Sequence, residues 1–303
     1  MQRRTFLTLA ALAASAARAK TRGMLLHLSH GALGIKADQR QAIDLAAKHG
    51  FDAVDANAGY LQGLSDGELQ DLLGYMKSKN VEWGLAGLPV DFRGEEQLFR
   101  DGVAKLPATA KGLQRAGVRR VTTWYMPRHQ TLTYLQNFKL HTTRLREVGR
   151  ILDDNGLRFG LEYVGPKTTW ATQRYTFART LAETRELIAE IGLRNIGLVM
   201  DSWHWYHAGD KASDIEMMQA KDVVSVDLND APSGVPMDEM VDGKRELPAS
   251  TGVIDLKSFL AALEKIKFDG PVRVEPFNDV VRKMAPDEAA AAAMAGLKKA
   301  FAS

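Results

Sequence analysis

The chain contains no cysteine. Disulfides, thiolate nucleophiles and cysteine-held zinc or iron–sulfur sites are excluded together, so any metal must be held by Asp, Glu, His or carbonyl oxygen. No G-x-G-x-x-G follows the first apolar run and no P-loop occurs, so the glycine-rich phosphate cradles of nucleotide-binding sheets are missing. Net charge is small, +3 over 303 residues, and no dense basic stretch is interleaved with aromatics, which argues against nucleic acid. No apolar run reaches the roughly 20 residues of a membrane-spanning helix. What remains is an ordinary globular composition, 45% hydrophobic and 25% charged.

The N-terminus has the pattern of an export signal. "MQRRTFLTLAALAASAARAK" carries the twin arginine Arg3-Arg4, then Phe6-Leu7, an apolar run to about Ala17, and Ala17-Arg18-Ala19 as a cleavage motif. The expectation is a Tat-like signal peptide over 1–19, a mature domain over 20–303 and a periplasmic location. A homo-oligomer stays open as an alternative to the monomer.

The remainder alternates short apolar runs with amphipathic segments. Candidate strands lie at Gly23–Leu28, Ala53–Ala56, Val81–Gly87, Arg120–Trp124, Phe159–Tyr163, Ile196–Met200, Val223–Leu228 and Val272–Glu275. Helical patterns between them stop at Gly50, Asn80, Gly117, Gly156, Gly192 and Gly270. Eight β/α units predict a single (β/α)8 TIM barrel. A doubly wound open sheet is the rival.

Catalytic side chains of such a barrel sit at the C-terminal ends of strands. The last four candidate strands end at Glu162, Asp201, Asp227 and Glu275. One strand-end acid is unremarkable, but four around one axis repel each other unless a cation neutralises them, and the economical cation is a divalent metal.

Glu162, "DSWH" with Asp201 and His204, "VDLND", and "GVIDLKSFLAALEKIKFDGPVRVEPF" resemble the xylose-isomerase-like sugar isomerase/epimerase barrels. The resemblance is concentrated between about Gly160 and Asn278 and implies that Glu162, Asp201, Asp227 and Glu275 ligate metal. Keto-sugar epimerases of the family have His where this chain has Asp227, whereas the xylose isomerases have an acid. An all-oxygen set favours Mn²⁺ or Mg²⁺ over Zn²⁺. His204 fits a partner for a substrate hydroxyl or a group supporting the metal from beside it, and Arg245 matches a loop where many relatives place a substrate-binding Arg. Lys167, in a loop where related epimerases carry another acid, is a further candidate for substrate contact. Trp203, Trp205 and Tyr206 either wall a sugar cleft or simply bury loop surface. His27, His30 and Asp55 are cleft candidates by position alone.

The function these residues imply is metal-dependent isomerisation or epimerisation of a non-phosphorylated sugar or keto-sugar through an enediolate, with Glu162 and Glu275 as the acid/base pair. A lyase or dehydratase of keto-glycoside or inosose type uses the same enolisation. A non-catalytic periplasmic carbohydrate-binding protein is the alternative from another class.

Overall fold

The expected apolar runs become the strands of a barrel in the computed structural model, which describes residues 23–302. The expected signal peptide lies outside the described residues. The strands are β1 (Leu25–Leu28), β2 (Ala53–Val54), β3 (Glu82–Trp83), β4 (Ala86–Gly87), β5 (Arg120–Trp124), β6 (Arg128–His129), β7 (Arg158–Glu162), β8 (Tyr175–Thr176), β9 (Ile196–Asp201), β10 (Val223–Leu228) and β11 (Pro271–Val274). Nine of them form a parallel sheet in the order β3-β2-β1-β11-β10-β9-β7-β5-β4.

The two end strands of that order are consecutive in the chain, one expected strand interrupted at Gly84-Leu85. On one side of the break Gly84 N–H donates to Val54 O (3.0 Å) and Ala56 N–H to Leu85 O (2.9 Å). On the other, Leu88 N–H donates to Thr122 O (2.9 Å), so the segment bonds to both neighbours and closes the ring. The remaining pair, β6 and β8, is an antiparallel ribbon linking the loops after β5 and β7.

Helices cover the barrel and begin where side chains can satisfy free N–H groups. Capping boxes pair Asp38 with Gln41, Ser65 with Glu68 and Thr180 with Glu183. Five of the expected stops, Gly50, Asn80, Gly117, Gly156 and Gly192, have positive φ. Gly270 does not; after the helix Leu256–Lys265, Lys267 takes the left-handed conformation instead (φ 60°).

Inside the barrel the layer below the acids is tightly filled. A Cβ on Gly160 would lie 2.9 Å from Val199 Cγ2 and 3.0 Å from Val224 Cβ. Because strand side chains alternate, Glu162 projects from the same face of β7 one layer higher. The registers set Asp201 beside Asp227 and Asp227 beside Arg273 across β9, β10 and β11.

Candidate functional site

Glu162, Asp201, Asp227 and Glu275 meet as the strand ends predict, each offering a carboxylate oxygen within 4.8 Å of the others'. Two arginines interleave with them. Arg273 Nε and Nη2 donate to the two oxygens of Asp227 (2.5 and 2.8 Å), the forked geometry guanidinium favours. Arg245, 1% exposed, donates from Nη1 to Asp201 Oδ2 (2.7 Å) and Glu275 Oε2 (3.1 Å). It also donates from Nη2 to Asp242 Oδ1 (2.8 Å) and from Nε to Asp242 O (3.1 Å). Its guanidinium carbon lies 4.5 Å from the Phe277 ring centre.

Asn229 ties the ring together, donating to Asp201 Oδ1 (3.0 Å) and accepting from the Glu275 N–H (3.2 Å). Ser202 in turn clamps the Asn229 backbone, donating to its carbonyl and accepting from its N–H. Asp201 also caps the helix Ser202–Ala208 through Trp203 N–H (2.7 Å), so the acid and His204 are placed by one turn of chain. Gly165 lets the loop after β7 lie on that turn, since a Cβ there would approach His204 O to 2.5 Å. Its N–H points at His204 Nδ1 (3.3 Å), while His204 Nε2 lies 3.3 Å from Arg245 Nη2 and faces Glu162 Oε1 (3.8 Å) and Asp201 Oδ2 (3.9 Å).

Burial then separates the titrations. Glu162 is pushed well above the usual carboxylate range by burial and by Glu275, Asp227 and Asp201; its Oε1 is buried without a hydrogen-bond partner. Burial raises Glu275 to about 7, opposed by Arg273 and Arg245. Burial and Arg245 lower His204 to about 3, so it is neutral near neutral pH. Four ring carboxylates, with Asp242 as a fifth on Arg245, face two guanidiniums, an excess of acid that a bound cation would offset. The donor set is all-oxygen and hard.

A pocket of about 210 Å³ opens onto this ring. Glu162, His204, Asp242, Arg245 and Glu275 make its polar side, while Trp124, Met126, Val164 and Phe277 make an apolar one. Phe277 is held at φ 39°, an unusual conformation for an aromatic residue and one that concentrates at functional sites.

Other expected substrate residues fall elsewhere. Trp203 is fully buried against His207 (4.4 Å between ring centres), and Trp205 packs on Phe259 (5.3 Å). The aromatic wall therefore comes from Trp124 and Phe277, not from the "SWHWYH" run. His27 is buried and pairs with Asp55 (2.9 Å), which also accepts from Ser29 (2.8 Å), and none of the three lines the pocket. Lys167 pairs with Asp238 at the outer rim, its side chain 47% exposed. Arg273, Asn229 and Asp242 were not anticipated. Arg273 stands two residues before Glu275 and so on the same strand face, a signal that attention to acids alone passes over.

The family model for the xylose isomerase-like TIM barrel matches residues 43–300. The inosose isomerase of Bacillus velezensis is 24% identical over 253 residues, covering 82% of this chain and 87% of the relative. That of Bacillus subtilis is 29% identical over 146 residues, about half of each chain. Among solved structures, a xylose isomerase domain protein from Alicyclobacillus acidocaldarius superposes with TM-score 0.80 at 28% identity, covering 92% of this chain and 98% of the other. An IolI protein with a binding zinc atom superposes with TM-score 0.76 at 22% identity over 92% and 98%. The fold, the ring of strand-end acids and the family match agree: this chain belongs to the xylose isomerase-like TIM barrels.

Proposed function

We propose that the protein is a metal-dependent isomerase or epimerase of a non-phosphorylated keto-sugar or keto-polyol, working through an enediolate. The observation that carries this reading is the pair Glu162 and Glu275, a buried and a half-buried carboxyl of raised pKa on one pocket floor. Such a carboxyl can take a proton from carbon and return it near neutral pH. Glu162, Asp201 and Glu275 would hold the metal, with Asp227 as the fourth acid of the ring, neutralised by Arg273. When bound, the metal supplies Lewis-acid polarisation of a carbonyl and its neighbouring hydroxyl. The zinc of the IolI protein supports a divalent ion in this barrel, and the all-oxygen donor set supports Mn²⁺ or Mg²⁺ here.

The chain's own residues divide the remaining work. Glu162 Oε1, free of hydrogen bonds, is the group placed to accept or donate a proton on carbon. Glu275 serves the opposite side, its titration near 7 set between burial and two arginines. His204 stays neutral and lines the pocket beside Arg245, where its ring can meet a substrate oxygen. Trp124, Met126, Val164 and Phe277 face the C–H side of the ring and exclude water. Three carboxylates and one already committed arginine line the pocket, so a phosphate finds no free cation.

A dehydratase or lyase reading draws on one further observation. Burial raises the Glu275 carboxyl of the metal-free site to about 7, and a proton held there can pass to a departing oxygen once the enediolate has formed. The twin arginine of residues 3–4 supports periplasmic export, to be checked by fractionation of the expressed full chain. The functional test is metal analysis of purified protein, followed by incubation with inososes, free ketoses and 3-keto-glycosides. A rearranged or epimerised product supports the first reading and an unsaturated ketone the second. Absence of bound metal and of any product removes both.

A further inference from the structure

The guanidinium of Arg245 lies where a metal's charge is wanted. Nη1 holds Asp201 Oδ2 and Glu275 Oε2, two of the acids that the metal reading needs. Oxygen ligands approach a hard divalent ion to about 2.0–2.6 Å, closer than the 2.7 and 3.1 Å of these N–H donors. Guanidinium and metal ion would compete for the same two oxygens, and the two cations repel each other in a site removed from water.

The two arginines differ in how firmly they are committed. Arg273 stands on β11 and has both oxygens of Asp227 in a forked pair, with no slack in strand or side chain. Arg245 rises from the long loop after β10. Its backbone is pinned, since its carbonyl accepts from Asn278 Nδ2 (2.9 Å) and Glu246 exchanges two backbone bonds with Asp230. Its side chain has a second anchorage: Asp242, on the outer side with its side chain 34% exposed, accepts from both Nη2 and Nε. Phe277 offers an aromatic face along which the planar group can slide.

We infer that Arg245 is the built-in counter-ion of the acid ring, and that a divalent cation binds by displacing its Nη1 from Asp201 and Glu275 while Asp242 retains the guanidinium. Arg245 thereby sets the metal affinity of the site as a competitor. Asp227, saturated by Arg273, stays outside the ligand set, leaving Glu162, Asp201 and Glu275 to take the ion. This assignment rests on the metal reading of the previous subsection, and the two fail in different ways.

Mn²⁺ titration of the full chain, with the free-ion EPR signal as readout, tests it on wild type, R245M and R245K. R245M should bind Mn²⁺ more tightly than wild type by roughly tenfold to a hundredfold, the range spanned by losing one charge-assisted hydrogen bond. R245K, whose single ammonium cannot hold Asp201 and Asp242 together, should fall between; it carries the comparison if R245M does not fold without metal. D227L/R273L, which removes Asp227 together with its cation, should bind Mn²⁺ like wild type. If folded R245M and R245K bind equally or more weakly than wild type, Arg245 is a support for the ligands and the inference is wrong. If folded D227L/R273L loses binding, Asp227 belongs to the ligand set and that part is wrong. If wild type and every variant fail to bind, the metal reading falls and this inference with it.

Discussion

Replacing Arg273 by leucine asks how strongly the acid ring depends on its internal cations. Asp227 is fully buried, and both of its oxygens accept from Arg273, at 2.5 and 2.8 Å. Each charge-assisted bond contributes about 1.5–3 kcal/mol, and removing one partner of a buried pair costs ~3–5 kcal/mol because a bare charge is left behind. We expect R273L, free of metal, to lose ~3–5 kcal/mol in urea unfolding. D227L/R273L, with no charge left to strand, should recover most of that. A second readout follows from Glu275. Arg273 is the first influence opposing its burial, so R273L should move its titration above about 7, seen as an upward shift in the acidic limb of the pH–rate profile. A single variant that loses less than ~1 kcal/mol, or a double variant no better than the single, would refute the view that Arg273 neutralises this ring.

Other consequences are open to direct measurement. Glu162 and Glu275 have native pKa values above their unfolded ones, so between the usual carboxylate range and about 7 the native state holds more protons than the unfolded state. Metal-free protein should therefore lose stability over that window, and added Mn²⁺ should raise the melting temperature more at pH 8 than at pH 5. G165A must move the loop after β7 off His204 O; we expect a loss of ~1–3 kcal/mol with a lowered kcat, and unchanged kcat would detach His204 from the reaction. K167A breaks only an exposed pair with Asp238, so stability should change by less than about 1 kcal/mol and kcat/KM by less than about tenfold. A larger kinetic loss would return Lys167 to the substrate.

The strands and the acids were legible because each is written locally. Apolar runs bounded by Gly or Asn marked the barrel, and a carboxylate closing four successive strands marked its mouth. Partnerships between distant segments were not legible. Asp227 and Arg273 are 46 residues apart, and only the β10–β11 register sets them side by side. Arg245 does line the pocket, but its pairing with Asp201, Asp242 and Glu275 depends on a loop conformation that no local pattern encodes. Trp203 was offered to the cleft because it follows Asp201, yet the helix begun by that acid turns it into the core. His27 lies on an inward strand face, but Asp55 and Ser29 occupy it away from the pocket.

The central claim is that Glu162 moves a proton on carbon at a metal-assisted site. Its most direct test is deuterium incorporation, followed by NMR, when Mn²⁺-loaded protein meets inososes and free ketoses in D₂O. We predict exchange at a carbon beside the carbonyl with wild type, and exchange reduced at least about a hundredfold in E162Q, the scale of a lost general acid–base. Metal-loaded wild type that exchanges no carbon-bound proton, or E162Q that exchanges as fast as wild type, would contradict the account.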